Sequence, residues 1–152
     1  MKPIFGRILT HPLSITILNF AILLLAYSAL KETWFAEESD VHHIHEAVEL
    51  WEGFGTILLG FGVALEERGS LLKIFGCTPD QNPRMEHLCH NYGVLFVVLG
   101  VLIEVLAWLI KIPNSVLNTE GVEFVLLQMG AISASAGVFL QLRFQIKLWK
   151  SR

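Results

Sequence analysis

A run of histidine and glutamate residues between positions 42 and 52 holds the side chains best suited to chemistry. On a helix that begins near Val41, five residues recur at spacings of three and four positions: His42, His45, Glu49, Glu52 and Thr56. This spacing places all five on one face of the helix. Imidazole and carboxylate groups together bind divalent transition metals such as Zn, Fe, Mn or Cu. Carboxyl groups can also relay protons. The spacing therefore predicts a polar site of one of these two kinds.

Glu104, which lies in a later apolar segment, is expected to belong to the same site. At a rise of about 1.5 Å per residue, Glu52 and Glu104 fall at similar depths in their segments, and Gln128 falls slightly further out. We therefore predict that these three side chains share one polar layer inside a helix bundle. The predicted metal or proton site comprises His45, Glu49, Glu52 and Glu104, with His42 at its mouth. As an alternative, the carboxyl groups only form hydrogen bonds that hold the helices, or a partner subunit, in register.

A second group of histidines lies toward the opposite end of these segments. His90 continues a helical face that carries Gly93, Gly100 and Glu104, and His11 stands where the first apolar segment begins. A b-type haem takes one histidine from each of two facing helices, and the pairing to consider is His11 with His87 or His90. A haem or quinone at these three residues would make the chain an accessory subunit of a membrane redox complex. This is the alternative to the metal or proton site.

The elements that position these residues are helices that cross a membrane. Hydrophobic residues make up 53% of the 152-residue chain and charged residues 16%, against about 45–50% and about 25% in soluble domains. A helix needs about 20 mostly apolar residues to span the hydrocarbon core, and four segments qualify: about 13–30, 47–65, 92–110 and 122–142. Short connections after the first and third segments favour antiparallel neighbours. We predict one all-α membrane domain, residues 1–152, folded as an up-down-up-down bundle of four transmembrane helices.

The distribution of basic residues predicts how this bundle is oriented. Nine of the 11 Lys and Arg residues fall on one side of the four segments, and only Lys31 and Lys111 fall on the other. The positive-inside rule then places both termini in the cytoplasm, in what we expect to be a bacterial or archaeal inner membrane. Trp34, Trp51 and Trp108 lie near the outer ends, as in an interfacial aromatic belt. Cleavage of the first segment as a signal peptide would leave three spans and is the alternative.

The remaining features indicate packing and partners. Small residues give each of three segments a face on which close packing is expected: Gly53, Gly55, Thr56, Gly60 and Gly62 on the second, Gly93 and Gly100 on the third, and Gly130, Ser133, Ala134 and Gly137 on the fourth. A net charge of −3 gives no support for binding nucleic acid, and no motif for phosphate, dinucleotide or protease chemistry is present. We predict a small protein of the lipid bilayer that works with other membrane subunits or as a homo-oligomer, and not as an enzyme on its own.

Overall fold

A computed structural model of the chain describes residues 11–35, 41–74, 83–112 and 121–150. The described residues form five helices. Four are long and apolar enough to cross a membrane: α1 (Pro12–Phe35), α2 (Val41–Glu66), α4 (Pro83–Lys111) and α5 (Glu123–Lys150). The fifth, α3 (Arg68–Ile74), is a short helix that follows α2 after a one-residue break. An all-helical chain with four helices able to span a bilayer confirms the class expected from composition, that of an integral membrane protein.

The four long helices form a ring of four neighbouring pairs, and α2 and α5 also touch across it. The pairs are α1 with α2, α2 with α4, α4 with α5, and α5 with α1, while α1 and α4 share no contact in the described part of the chain. Neighbours are antiparallel: along the pair α1–α5, for example, Thr16 meets Gln145 and Asn19 meets the carbonyl of Gln141. We name the two ends of the ring the Lys111 end and the Arg68 end.

The α2–α4 pair is the most closely packed, because glycines face each other across it. Gly62 lies against Gly93, and Gly55 lies against Gly100. A Cβ atom added to Gly62 would lie 2.7 Å from the Gly93 carbonyl oxygen, and one added to Gly100 would lie 2.8 Å from the Gly55 carbonyl oxygen. Only hydrogen atoms fit in such gaps, so these four glycines let the two backbones touch. The close packing predicted for the glycine faces is confirmed at this seam.

Aromatic side chains fill the interior at the Arg68 end. Phe61 stacks on Phe96 with ring centroids 5.8 Å apart, and Phe144 packs edge-on against Phe96 at 5.9 Å. The Tyr92 and Phe144 ring centroids are 5.3 Å apart. The ammonium nitrogen of Lys147 lies over the Tyr92 ring, 5.3 Å from its centroid. Rings at these separations attract one another beyond the area they bury. These rings fill the space between α2, α4 and α5 at this end of the bundle.

Trp51 does not belong to an interfacial belt, contrary to the prediction. Its side chain is 2% exposed, and its indole N–H donates a 2.8 Å hydrogen bond to the Thr33 hydroxyl of α1. A buried indole needs an acceptor, and Thr33 supplies it, so the pair joins α1 to α2 near the Lys111 end. Trp34, Trp108 and Trp149 are exposed, as residues of a belt would be.

Candidate functional site

Polar side chains continue the glycine seam toward the Lys111 end. Glu104 and Lys111 lie on the face of α4 that carries Gly93 and Gly100, because all four residues are spaced by about whole helical turns. Four residues on one face of α2 lie opposite or beside Glu104 and Lys111. We call these six residues the polar stripe: His45, Glu49, Glu52 and Thr56 of α2, with Glu104 and Lys111 of α4. The contacts of Glu52 with Lys111 and of Thr56 with Glu104 agree with the helical register predicted for these residues.

Glu52 and Lys111 form an ion pair across the seam. Their side chains are 42% and 32% exposed, so the pair lies at the edge of the bundle and not inside it. Lys111 contacts the carboxylate of the neighbouring helix because the facing glycines bring α2 within its reach.

This ion pair predicts a measurable coupling. Glu52→Gln and Lys111→Met each leave one charge without its partner, so each is expected to destabilise the bundle by about 1–2 kcal/mol. The double variant removes both charges and should recover at least half of the summed loss. Unfolding of the four proteins in mixed micelles measures the coupling. Strictly additive losses would show that the two side chains do not stabilise each other.

Glu104 has a neutral partner. The Thr56 hydroxyl donates a hydrogen bond to its carboxylate, and within the described residues Thr56 is the only polar group that contacts it. Glu104 is seven residues before Lys111, the end of α4, which corresponds to about 10 Å along the axis. A charged group near the middle of a bilayer costs at least about 2.5 kcal/mol. Glu104 is therefore a carboxyl group in a spanning helix that no cation among the described residues neutralises.

The other predicted members of the site are not brought inside the bundle. His45 and Glu49 are exposed on α2, and the side chain of His42 lies outside the described residues. Gln128 is also exposed on α5, so the predicted three-residue layer of Glu52, Glu104 and Gln128 is wrong. Depth along a helix was estimated correctly for the two carboxylates, but depth alone does not determine which way a helix turns its side chains.

No group of three or more His, Cys, Asp or Glu side chains that could hold a metal ion occurs within residues 11–35, 41–74, 83–112 and 121–150. Glu52 and Glu104 instead contact Lys111 and Thr56. Binding of Zn, Fe, Mn or Cu by the polar stripe stays a prediction, and it would require ligands beyond those that the described residues bring together.

The histidines proposed for haem or quinone binding are on the surface. His11 accepts a 3.2 Å hydrogen bond at Nδ1 from the backbone N–H of Leu13, which caps the start of α1. His87 lies 3.0 Å from the Asn91 amide, one turn along α4, and His90 is exposed. The helices that follow His11 and carry His90 do not touch. Haem binding by His11, His87 or His90 is untested and draws no support from this arrangement.

A buried polar cluster between α1 and α5 was not predicted. Asn19 donates to the Gln145 side-chain oxygen at 3.3 Å, and Gln145 donates to the Thr16 hydroxyl at 2.8 Å. Within the described residues, the fully buried Gln141 amide and the Asn19 side-chain oxygen make no hydrogen bond. Matching spacings, three residues on α1 and four on α5, are the signal that could have revealed it. Such cross-helix hydrogen bonds hold α1 to the bundle.

The polar stripe is thus the cluster in the described residues that joins charged side chains of two spanning helices. It combines an ion pair, a carboxyl group with a neutral partner, and exposed His and Glu side chains, all along one edge of the α2–α4 seam. Comparison of the chain with protein-family models, with curated proteins and with solved structures found no match.

Proposed function

We propose that this protein is a subunit of a larger membrane assembly, and that its polar stripe is the face on which a partner docks and through which protons are passed. The observation that carries the proposal is that the side chains of the stripe lie at the outer surface of the bundle. Thr56, His45 and Glu49 are exposed, and Glu52 and Glu104 are only partly covered. Ionisable groups in spanning helices usually face a bundle interior or a water-filled cavity. A partner that covers the stripe would supply that interior.

The charges of the stripe indicate what the partner presents. Three carboxylates, Glu49, Glu52 and Glu104, stand against one lysine, Lys111. Glu49 has no polar contact within the described residues. A complementary helix would therefore bring Arg, Lys or neutral hydrogen-bond donors, since interfaces match negative with positive potential.

Proton transfer is supported by a difference between the two ends of the stripe: one is open to the surroundings and the other is closed. At the Lys111 end, His45 and Glu49 are open to their surroundings, and the polar groups continue through Glu52 to Glu104. Beyond Glu104 the seam is closed by backbone contact at the facing glycines, and the core is aromatic. Protons could therefore reach Glu104 from one side only, and a partner group would have to carry them further.

The orientation of this pathway follows from the positive-inside rule, which favours a cytoplasmic Arg68 end and both termini inside. A reporter fused to the C-terminus is expected to be active only in the cytoplasm. A thiol-directed label that cannot cross membranes should reach Lys31→Cys, exposed on α1 at the Lys111 end and outside the stripe, with Glu67→Cys at the Arg68 end as its control. Labelling of Glu67→Cys alone would show that the Arg68 end faces outward and that the predicted orientation is wrong.

Charge reversal tests the docking role. Glu49→Lys changes an exposed carboxylate of the stripe that has no contact within the described chain, so the isolated subunit should fold normally. We expect this variant to leave the assembly, with at least a tenfold loss of associated protein when membranes are solubilised mildly, as for loss of a paired charge. Glu67→Lys, the same change at the Arg68 end, should stay assembled. Equal association of both variants with the assembly would contradict the proposal.

A further inference from the structure

A groove of about 420 Å³ lies between α1 and the corner where α2 is followed by α3. Its walls are apolar side chains, among them Leu18 and Ala21 of α1 and Phe61 and Ala64 of α2. Its volume is within the range of about 300–1,000 Å³ that is typical of small-molecule sites. The groove is at the Arg68 end and is separate from the polar stripe.

Polar side chains line the groove at one place, where Ser14 and Arg68 approach it. Arg68 is the first residue of α3 and is only 7% exposed. It follows directly on the spanning part of α2, the level at which phospholipid headgroups meet a membrane protein. An apolar groove with a buried cation complements an anionic lipid, which has apolar acyl chains and a negatively charged headgroup.

We propose that this groove binds an anionic phospholipid, with an acyl chain along α1 and α2 and the phosphate group on Arg68. A guanidinium binds phosphate through two parallel hydrogen bonds. Arg68 also interacts within the protein, but a guanidinium has five N–H donors and can serve both. Basic pockets between transmembrane helices are a recurrent way to hold anionic headgroups.

The position of the groove favours a lipid over a soluble ligand. Ile17, on its wall, is 70% exposed, and Leu18 is 46% exposed. In a bilayer these side chains face the acyl region, so a lipid chain can enter sideways without crossing water. A soluble anion would find Arg68 but would leave the apolar walls uncovered.

Lipid binding to the purified full-length chain tests this proposal. Native mass spectrometry should detect phosphatidylglycerol bound about tenfold more tightly than phosphatidylcholine with the same acyl chains. Both lipids offer a phosphate to Arg68, but phosphatidylcholine also brings a quaternary ammonium whose positive charge repels the guanidinium. Arg68→Gln should abolish the preference, and Arg68→Lys, which keeps the charge, should retain part of it. Ala64→Phe fills the groove and should reduce binding of both lipids.

Arg143→Gln is the matched control, because Arg143 is an exposed arginine of α5 that does not line the groove. It should leave the preference unchanged. Equal binding of both lipids by the wild type, or an unchanged preference in Arg68→Gln, would overturn the proposal. Tighter binding of a quinone than of phosphatidylglycerol, or lipid uptake only after removal of residues 2–10, would also overturn it by assigning the groove to another occupant.

Discussion

Gly62→Ala is expected to destabilise the bundle by about 3 kcal/mol or more. The added methyl carbon would lie 2.7 Å from the Gly93 carbonyl oxygen and 2.7 Å from the Val97 backbone nitrogen. Real Cβ atoms do not approach backbone so closely, and neither backbone can move without separating α2 from α4. Overpacking in a well-packed interior usually costs about 1–3 kcal/mol, and here the obstacle is rigid. Equilibrium unfolding in mixed micelles measures the loss.

Gly60→Ala is the matched control for this prediction. Gly60 lies two residues away on α2, and nothing lies within 4 Å of the position a Cβ would take. Alanine favours the helix over glycine by up to about 1 kcal/mol, so this variant should be unchanged or slightly more stable. Similar losses in Gly60→Ala and Gly62→Ala would show that the seam is not close-packed as described.

The seam also shows which parts of the fold were predictable from sequence. The faces were correct: Gly93, Gly100 and Glu104 share one face of α4, and His45, Glu49 and Glu52 share one face of α2. Helical periodicity determines such faces with no knowledge of neighbours. The glycine spacing further indicated that close packing would occur on them.

Contacts between helices were less predictable. The closest pair, α2–α4, is not joined by one of the short connections, so loop length gave no reason to expect it. The burial of Trp51 depends on Thr33 of another helix. Pairing of Lys111 with Glu52 depends on how closely the two backbones approach. Each of these features depends on how two helices are rotated and spaced relative to each other. The periodicity of a single helix does not reveal this.

Glu104→Gln is expected to reduce proton uptake by the assembly at least about 100-fold. Glutamine keeps the size of the side chain and can still accept the Thr56 hydrogen bond, but it cannot take up and release a proton. Removing a positioned acid–base group typically lowers a proton-transfer rate by about 10²–10⁴. The assembly captured with this chain, reconstituted into vesicles that contain a pH-sensitive dye, provides the measurement.

Two further variants separate proton transfer from structure and from metal binding. Glu104→Asp keeps a carboxyl group and should retain a measurable part of the rate, whereas Glu67→Gln, outside the stripe, should retain all of it. Uptake should also survive removal of divalent metals by a chelator. Full activity in Glu104→Gln would exclude Glu104 from the proton path, and loss of uptake on chelation would favour a metal in the stripe.

We propose that a partner covers the polar stripe inside the membrane. Photo-crosslinking from Thr56 tests it most directly, because Thr56 is exposed and lies beside Glu104 at the inner end of the stripe. Ile132, 70% exposed on α5, is the control for a surface that faces lipid. With a photoreactive residue at each position in native membranes, we predict protein crosslinks from position 56 and only lipid adducts from position 132. Lipid adducts alone from position 56 would contradict the account.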